Sequence, residues 1–389
     1  MTSGETGPTD VNIVHYHTGI RLEQGGVVRA VLDLSTALAA AGHAVTLITA
    51  NAQDVPAPWR DGDAGTPRVI ETRVRPGARR HLAKRLAGAD VLHLHGMWTP
   101  DNIELAAAAR RAGVPYVISV HGMLDDWCMA TSRLRKRLFL AAVGRRLLHD
   151  AAAVHCTAQA ELEQARVWFP RGRGVVIPLV CDLTPFETLP GPEPARRHVP
   201  EIGRGDPPTL LFLSRLHRKK GIELLIGAAE ELANAGRPCL VLIAGTGDEP
   251  YVATLRSTVA DRGLGERVRF VGFIDGVEKI SLYESADLFV LPTSQENFGF
   301  VLFEALAAGT AVITTRGADT WPEMESSGGA VVTEASPSAI ADAAAALLDD
   351  PARRQAMGAA GRRWVFGHLA AECVIGEYES FYRAAAGGG

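Results

Sequence analysis

The chain has 389 residues, 47% hydrophobic and 22% charged, with a formal net charge of −4. That is ordinary for a soluble globular protein and long for one core, so two domains are the starting expectation. No apolar run is long enough to span a bilayer, the first ten residues lack the basic start and apolar stretch of a secretory signal, and the five cysteines are scattered with no CxxC pair. These features argue against membrane spans, export and a structural zinc site, and for reduced thiols in the cytoplasm.

In chain order, apolar strand-like runs alternate with longer helical stretches. Residues 12–16 read as a buried strand; Gln24-Gly25-Gly26 then leads into a helix over 27–41 that Gly42 closes. Strands follow at 44–49, 91–95, 116–120 and 152–156, with a helix at 104–112 ended by Gly113. The proline-rich stretch 183–208 has almost no apolar periodicity and reads as a linker. Strands resume at 209–214, 239–244, 268–271, 288–291 and 311–314, with helices at 222–235, 251–262, 300–308 and 339–348. A last helix is expected over 366–385, before an unstructured Gly-rich tail.

The alternation predicts an α/β chain of two Rossmann-like, doubly wound domains, residues 1–182 and 209–365, joined by the linker 183–208. The segment 366–389 is expected to cross back to the first domain. Ligands bind such sheets at the carboxyl ends of their strands, and two in tandem are expected to face each other across a cleft. Residues 1–181 carry a net +5 and the remainder −9, so the halves are expected to meet different partners. Neither is basic enough for a dedicated nucleic-acid binder.

The strongest motif is ENFGFVLFEALAAGTAVITT, residues 296–315. Glu296 falls in the loop after a strand, Gly299 and Phe300 open a helix, and Glu304 lies one turn inside it among apolar residues. A charge there needs a partner. Carboxylates suit the vicinal hydroxyls of a sugar, and the amides of a helix N-terminus suit phosphate. In SRLHRKKGIELL, residues 214–225, Arg215 and Lys220 place two cations at a strand end, where a diphosphate could be neutralised. His217, Arg218 and Lys219 read equally as a solvated basic cluster. AGTGDEP (244–250) with Gly245, and VGFID (271–275) with Gly272, Phe273 and Ile274, are weak signals alone.

In the first half, Gly25 and Gly26 allow backbone to approach a ligand closely. HLHGMW (93–98) and SVHGMLDDW (119–127) each end a strand with a histidine and a glycine, offering His95, Trp98, His121, Asp125 and Asp126. The stretch 131–148 is a basic amphipathic helix candidate with Arg133, Arg135, Lys136, Arg137, Arg145 and Arg146. It reads either as a solvated face or as a contact with anionic lipid at the inner face of a membrane.

Taken in order, R-x4-K-G, A-G-x-G, V-G-F and E-x7-E followed by EALAAGT resemble the donor domain of glycosyltransferase family 4, retaining and metal-independent enzymes of the GT-B fold. The resemblance covers nearly the whole chain and is densest at 210–325. It implies that Arg215 and Lys220 bind the diphosphate of a UDP- or GDP-sugar, with Gly245 and the Gly25–Gly26 loop nearby. Glu296, with Asn297, Phe298, Gly299 and Phe300, would hold the transferred hexose, and Glu304 the ribose. Residues 272–274 would line the base, and His121 would contact the sugar near the reacting carbon. His95, Trp98, Asp125 and Asp126 fall in the expected acceptor region. HGMLD, with WPEM at 321–324, resembles a subgroup tied to surface-polysaccharide and lipopolysaccharide assembly; that subgroup commonly has proline where this chain has Asp126.

The function implied is transfer of a hexose to a glycan, lipid-linked or small-molecule acceptor, by front-face substitution with no cofactor beyond the nucleotide sugar. No Asp-x-Asp metal motif is present. The alternatives are a nucleotide-sugar epimerase, a sugar phosphorylase or a non-catalytic sugar-nucleotide-binding protein of the same fold. A Rossmann oxidoreductase fits less well, because no complete GxGxxG follows the first strand.

Overall fold

A computed structural model describes residues 10–204 and 207–387. Two compact units emerge: residues 1–181 with 371–389, and residues 182–370.

The first unit is built on a parallel sheet, seven-stranded among the described residues, of β1 (Asn12–Tyr16), β2 (Ala44–Thr49), β3 (Arg68–Glu71), β4 (Val91–His95), β5 (Tyr116–Ser119), β6 (Ala153–Cys156) and β7 (Gly174–Val176), in the order β3-β2-β1-β4-β5-β6-β7. The second has six, β8 (Thr209–Leu213), β9 (Leu240–Ala244), β10 (Val268–Gly272), β11 (Leu288–Leu291), β12 (Val312–Thr315) and β13 (Ala330–Thr333), in the order β10-β9-β8-β11-β12-β13. Central strands such as β9, LVLIA, are buried along their whole length, as continuous apolar runs in a parallel sheet with both faces covered should be. The helix Ile222–Asn234 shows how the layers lock: Ile222, Leu225, Ile226, Ala229 and Leu232 recur at helical spacing and are all buried. Each of its large aliphatic residues contributes about 1.5–3 kcal/mol by leaving water.

Two regions differ from the sequence reading. The stretch expected to be a linker is folded into the second unit: short helices form at Thr184–Glu187 and Glu193–Arg196, and Phe186, Ala195, Val199 and Ile202 are buried. Pro185 and Pro194 occupy the first turns of those helices, where no amide hydrogen is needed. The single helix expected over 366–385 is two, Pro351–His368 and Ala371–Ala386. The latter buries Val374, Tyr378, Phe381, Tyr382 and Ala385 in the core of the first unit, beside Ile13, Leu34, Leu38 and Val117. Of the glycine tail, Gly388 and Gly389 lie outside the described residues, as do residues 1–9 of the N-terminal segment. The five cysteines are not paired in disulfides, and no helix among the described residues is long and apolar enough to cross a membrane.

Candidate functional site

In the second sheet the strand order reverses between β8 and β11: the chain runs outward through β9 and β10, then returns to the other side of β8. Loops leaving the two strands at such a reversal part and form a crevice where ligands bind. Lys220 follows β8, Glu296 follows β11, and the Lys220 ammonium and the Glu296 carboxylate form an ion pair. The carbonyl of Lys219 fixes the approach, accepting from the Ser294 amide at 2.7 Å and from Thr293 Oγ1 at 2.9 Å. Gly221 turns the chain at φ 69°, and a β-carbon there would run into the Pro292 carbonyl, so only glycine fits.

Lys220 is buried. Burial, then Lys219 and Arg215, draws its ammonium well below the usual lysine range, while the Glu296 carboxylate opposes that drift by favouring the charged form. Glu296 is held by its own backbone: its amide donates to Gly317 and its carbonyl accepts from Asp319, each at 2.8 Å. Thr320 Oγ1 donates to the Phe298 carbonyl at 2.9 Å, and Asn297 Nδ2 lies 3.4 Å from Asp319 Oδ2. Gly299, at φ 73°, then turns the loop into the helix Phe300–Ala307, and an added β-carbon would sit 3.0 Å from Glu296 Cγ and Leu302 Cδ1.

Glu304 is buried in that helix. Lys279 Nζ donates to its Oε1 at 2.8 Å and the Tyr283 hydroxyl to its Oε2 at 2.9 Å. Both donors lie on the helix Gly276–Ser285. Each carboxylate oxygen therefore has a protein partner and keeps lone pairs for further donors. The turns after β8, β9 and β10 are laced together: the Leu216 amide donates to Thr246 at 2.8 Å and the Gly245 amide to Gly272 at 2.7 Å. Arg215, in the first of these turns, is exposed, as is Phe273 after β10, while Ile274 is buried.

The first sheet reverses between β1 and β4. Gly25, at φ 93°, introduces the helix Gly26–Ala40 after β1. At the same reversal lies a set of buried histidines: His15, His93, His95, His121 and His155. His15 Nδ1 is 2.9 Å from His95 Nε2, and His95 Nδ1 is 3.1 Å from His121 Nε2. A second run passes from the Tyr382 hydroxyl to His93 Nδ1 (2.7 Å), His93 Nε2 to Ser119 Oγ (2.6 Å), Ser119 Oγ to His155 Nδ1 (2.6 Å), and His155 Nε2 to the Ile177 carbonyl (2.8 Å). Burial pushes His15 and His121 down to about 3 and His155 to about 4, and holds His93 and His95 well below the ordinary histidine value.

His15, His93 and His95 stand close enough to suggest a metal site. Both nitrogens of His93 and of His95 are already in hydrogen bonds, and those two rings stack at 4.1 Å. The geometry is that of a hydrogen-bonded network. His121 has φ 48°, a left-handed conformation uncommon outside glycine and frequent at functional sites. Glu161 braces its loop, accepting from the Gly122 amide and from Thr157 Oγ1.

The acceptor candidates are dispersed in role. His95 commits both ring nitrogens to other histidines. Asp125 caps the short helix Asp126–Ala130 by accepting from the Cys128 amide. Trp98 packs edge-on to Phe139, with Lys136 over its ring. Asp126 is exposed.

Residues 196–364 match the family described as glycosyl transferases group 1, and residues 25–179 match the glycosyl transferase 4-like domain. The GDP-mannose-dependent alpha-(1-6)-phosphatidylinositol monomannoside mannosyltransferase of Mycolicibacterium smegmatis is 32% identical over 271 residues, covering 67% of this chain and 68% of that one. The chain is a GT-B glycosyltransferase of the family 4 type. The 2-deoxystreptamine glucosyltransferase of Streptomyces kanamyceticus is 26% identical over 390 residues, covering 90% of this chain and 97% of that one. Among solved structures, Anabaena HepE in complex with UDP and glucose superposes with a TM-score of 0.77 at 16% identity, covering 96% of this chain and 100% of that one, which bears on the fold.

As a nucleotide-sugar-dependent hexosyltransferase, this glycosyltransferase carries several residues that no sequence motif exposed. Lys279 and Tyr283 sit on a helix with no motif of its own, and Asp319 and Thr320 lie about twenty residues beyond the loop they brace. Glu161 and Ser119 read as ordinary polar residues until the fold brings them to the histidines. Only the apolar setting of Glu304 signalled that some partner must exist.

Proposed function

We propose that this glycosyltransferase moves a hexose from a UDP- or GDP-sugar to an acceptor hydroxyl with retention and without a metal ion. The observation that carries the reading is the Lys220–Glu296 ion pair at the strand reversal of the second unit. A lysine held there by a carboxylate has a fixed position and little solvent to reorganise, as charge stabilisation on a departing diphosphate requires. Arg215 adds a second cation and the amides opening the helix Phe300–Ala307 add a dipole end. Glu296 would then exchange its lysine contact for hydroxyls of the transferred sugar, and Glu304 would reach the ribose. His121 would contribute to the transfer step. The acceptor proton would pass to the leaving phosphate oxygen, so catalysis is largely positioning and electrostatics.

Relatives named for a phosphatidylinositol mannoside and for 2-deoxystreptamine support two acceptor classes, a glycolipid or lipid-linked glycan and a small natural product. HGMLD adds surface polysaccharide to the first. The test is transfer from UDP- and GDP-sugars to both classes, in EDTA, with the anomeric configuration of the product read by NMR. Glu296→Ala is expected to abolish transfer with an unchanged circular dichroism spectrum; full activity in that variant, an inverted product or loss of activity in EDTA would each overturn part of the reading.

A peripheral membrane contact is supported by the helix Arg133–Phe139, which buries no residue and exposes Leu134 and Leu138 beside Arg133, Arg135 and Arg137. An exposed apolar pair rimmed by cations suits an anionic lipid surface. Co-sedimentation with phosphatidylglycerol vesicles, unchanged when the six basic residues of 131–148 are neutralised, would refute it.

A further inference from the structure

The two runs of buried histidines differ in one respect. In the run that ends at Ile177, a carbonyl can only accept, so His155 Nε2 carries its proton and His155 Nδ1 must accept. Ser119 therefore donates to His155 and accepts from His93 Nε2–H, and Tyr382 donates to His93 Nδ1. One carbonyl poles the whole run.

The run His15–His95–His121 has no such anchor. His15 Nε2 and His121 Nδ1, its two ends, are buried with no hydrogen-bond partner. Kept neutral by burial, each ring has one N–H and one bare nitrogen, so only two arrangements satisfy both internal hydrogen bonds. Either all three rings are protonated at Nδ1, or all three at Nε2. The second leaves an N–H stranded at His15 Nε2, inside the domain. Stranded buried donors are rarer and more costly than bare acceptors. The first arrangement leaves only a bare nitrogen at His15 and moves the N–H to His121 Nδ1, which is buried as well; on the reading of His121 as a residue of the transfer site, an oxygen of the bound sugar accepts that N–H, whereas no ligand reaches His15.

We propose that His15 and His95 are positioning residues that hold His121 as the neutral Nδ1–H tautomer, so that His121 serves the transfer site as a hydrogen-bond donor to an oxygen of the bound sugar. The inference rests on the reading of His121 as a residue of that site. It also explains why His95 has no ring nitrogen left for an acceptor.

The test is a long-range 1H–15N correlation spectrum of the full chain labelled with 15N-histidine, its peaks assigned by single substitutions. His15, His95 and His121 are expected as Nδ1–H tautomers, the form that free histidine disfavours, and His93 and His155 as Nε2–H. An Nε2–H signal from His121 overturns the proposal. In His95→Phe, which keeps a flat ring and removes both bonds, the His121 peak is expected to move to the Nε2–H pattern, with kcat falling about tenfold and little change in donor KM. If His95→Phe does not fold, the spectrum of the unsubstituted chain still decides. His121→Ala separates the two readings. Transfer at full rate in that variant overturns the site assignment whatever the spectrum shows; loss of transfer with an Nε2–H signal at His121 overturns the tautomer alone.

Discussion

Tyr283 donates its hydroxyl hydrogen to Glu304 across 2.9 Å while Lys279 holds the other carboxylate oxygen at 2.8 Å, so one helix supplies both partners of a carboxylate buried in its neighbour. Removing either donor leaves a buried oxygen underbonded. Tyr283→Phe is expected to lower unfolding free energy by about 1–3 kcal/mol in urea melts, and to weaken donor binding in calorimetry by loosening Glu304. Unchanged stability would show that the hydroxyl bond contributes nothing net.

Lys220 and Glu296 should behave as a coupled pair. Lys220→Met alone or Glu296→Gln alone strands a charge with little access to water, and each is expected to cost roughly 2–4 kcal/mol. The double variant removes both charges and should recover much of that loss while remaining inactive. A double-mutant cycle of urea midpoints against transfer rates checks it; additive stabilities would mean the ion pair is not coupled.

The strands at 12–16, 44–49, 91–95 and 288–291 were legible because each is a short, mainly apolar stretch set between turns and helical segments. Both edge strands of the first sheet were missed, although Val268–Gly272, an edge of the second, was read. Arg68–Glu71 begins and ends on a charge, Gly174–Val176 is three residues long, and both depend on a neighbour for their ladder. The proline-rich stretch misled for a related reason: proline marks where regular structure is interrupted, whereas the burial of Phe186, Val199 and Ile202 is decided by contacts with residues far along the chain. At the site, Glu296, Glu304, Arg215 and Lys220 stood out through spacing. Their partners Lys279, Tyr283, Gly317 and Asp319 did not, since a hydrogen bond across twenty or more residues leaves no local pattern.

Acid should unfold the first unit early. His15, His121 and His155 stay neutral in the fold down to about 3 or 4, and His93 and His95 are likewise depressed. In the unfolded chain each binds a proton near pH 6.5. The unfolded state therefore holds more protons below that pH, and stability, complete above it, falls as pH drops through about 6 to 4. Each histidine adds up to about 1.4 kcal/mol per pH unit to the slope. Thermal melts from pH 8 to 4 check the sign; a midpoint that stays constant would contradict the burial of these rings.

Ser119→Ala interrupts the poled run in the middle, leaving His93 Nε2–H without an acceptor and His155 Nδ1 without a donor. Loss of about 1–3 kcal/mol is expected, with the His155 titration displaced in NMR. Retained stability would indicate that water replaces the hydroxyl.

Gly299→Ala should reduce transfer more than stability. The left-handed turn strains any side chain, and the new β-carbon would press on Glu296 Cγ, shifting the carboxylate. A KM for the donor raised several-fold, with a urea midpoint within about 1 kcal/mol of the parent, is the expected pattern.

The helix Ala371–Ala386 supplies Tyr378, Phe381 and Tyr382 to a domain whose strands are encoded before residue 177. On a translating ribosome, β1 to β7 emerge well before that helix, and the whole of 182–370 is made in between. The histidines at the first strand reversal must therefore wait, with the His93 bond to Tyr382 unmade, until the whole of 182–370 and the helix after it have been synthesised. The intervening domain is free to mature first, reversing the usual order in which an N-terminal domain finishes ahead of the one behind it.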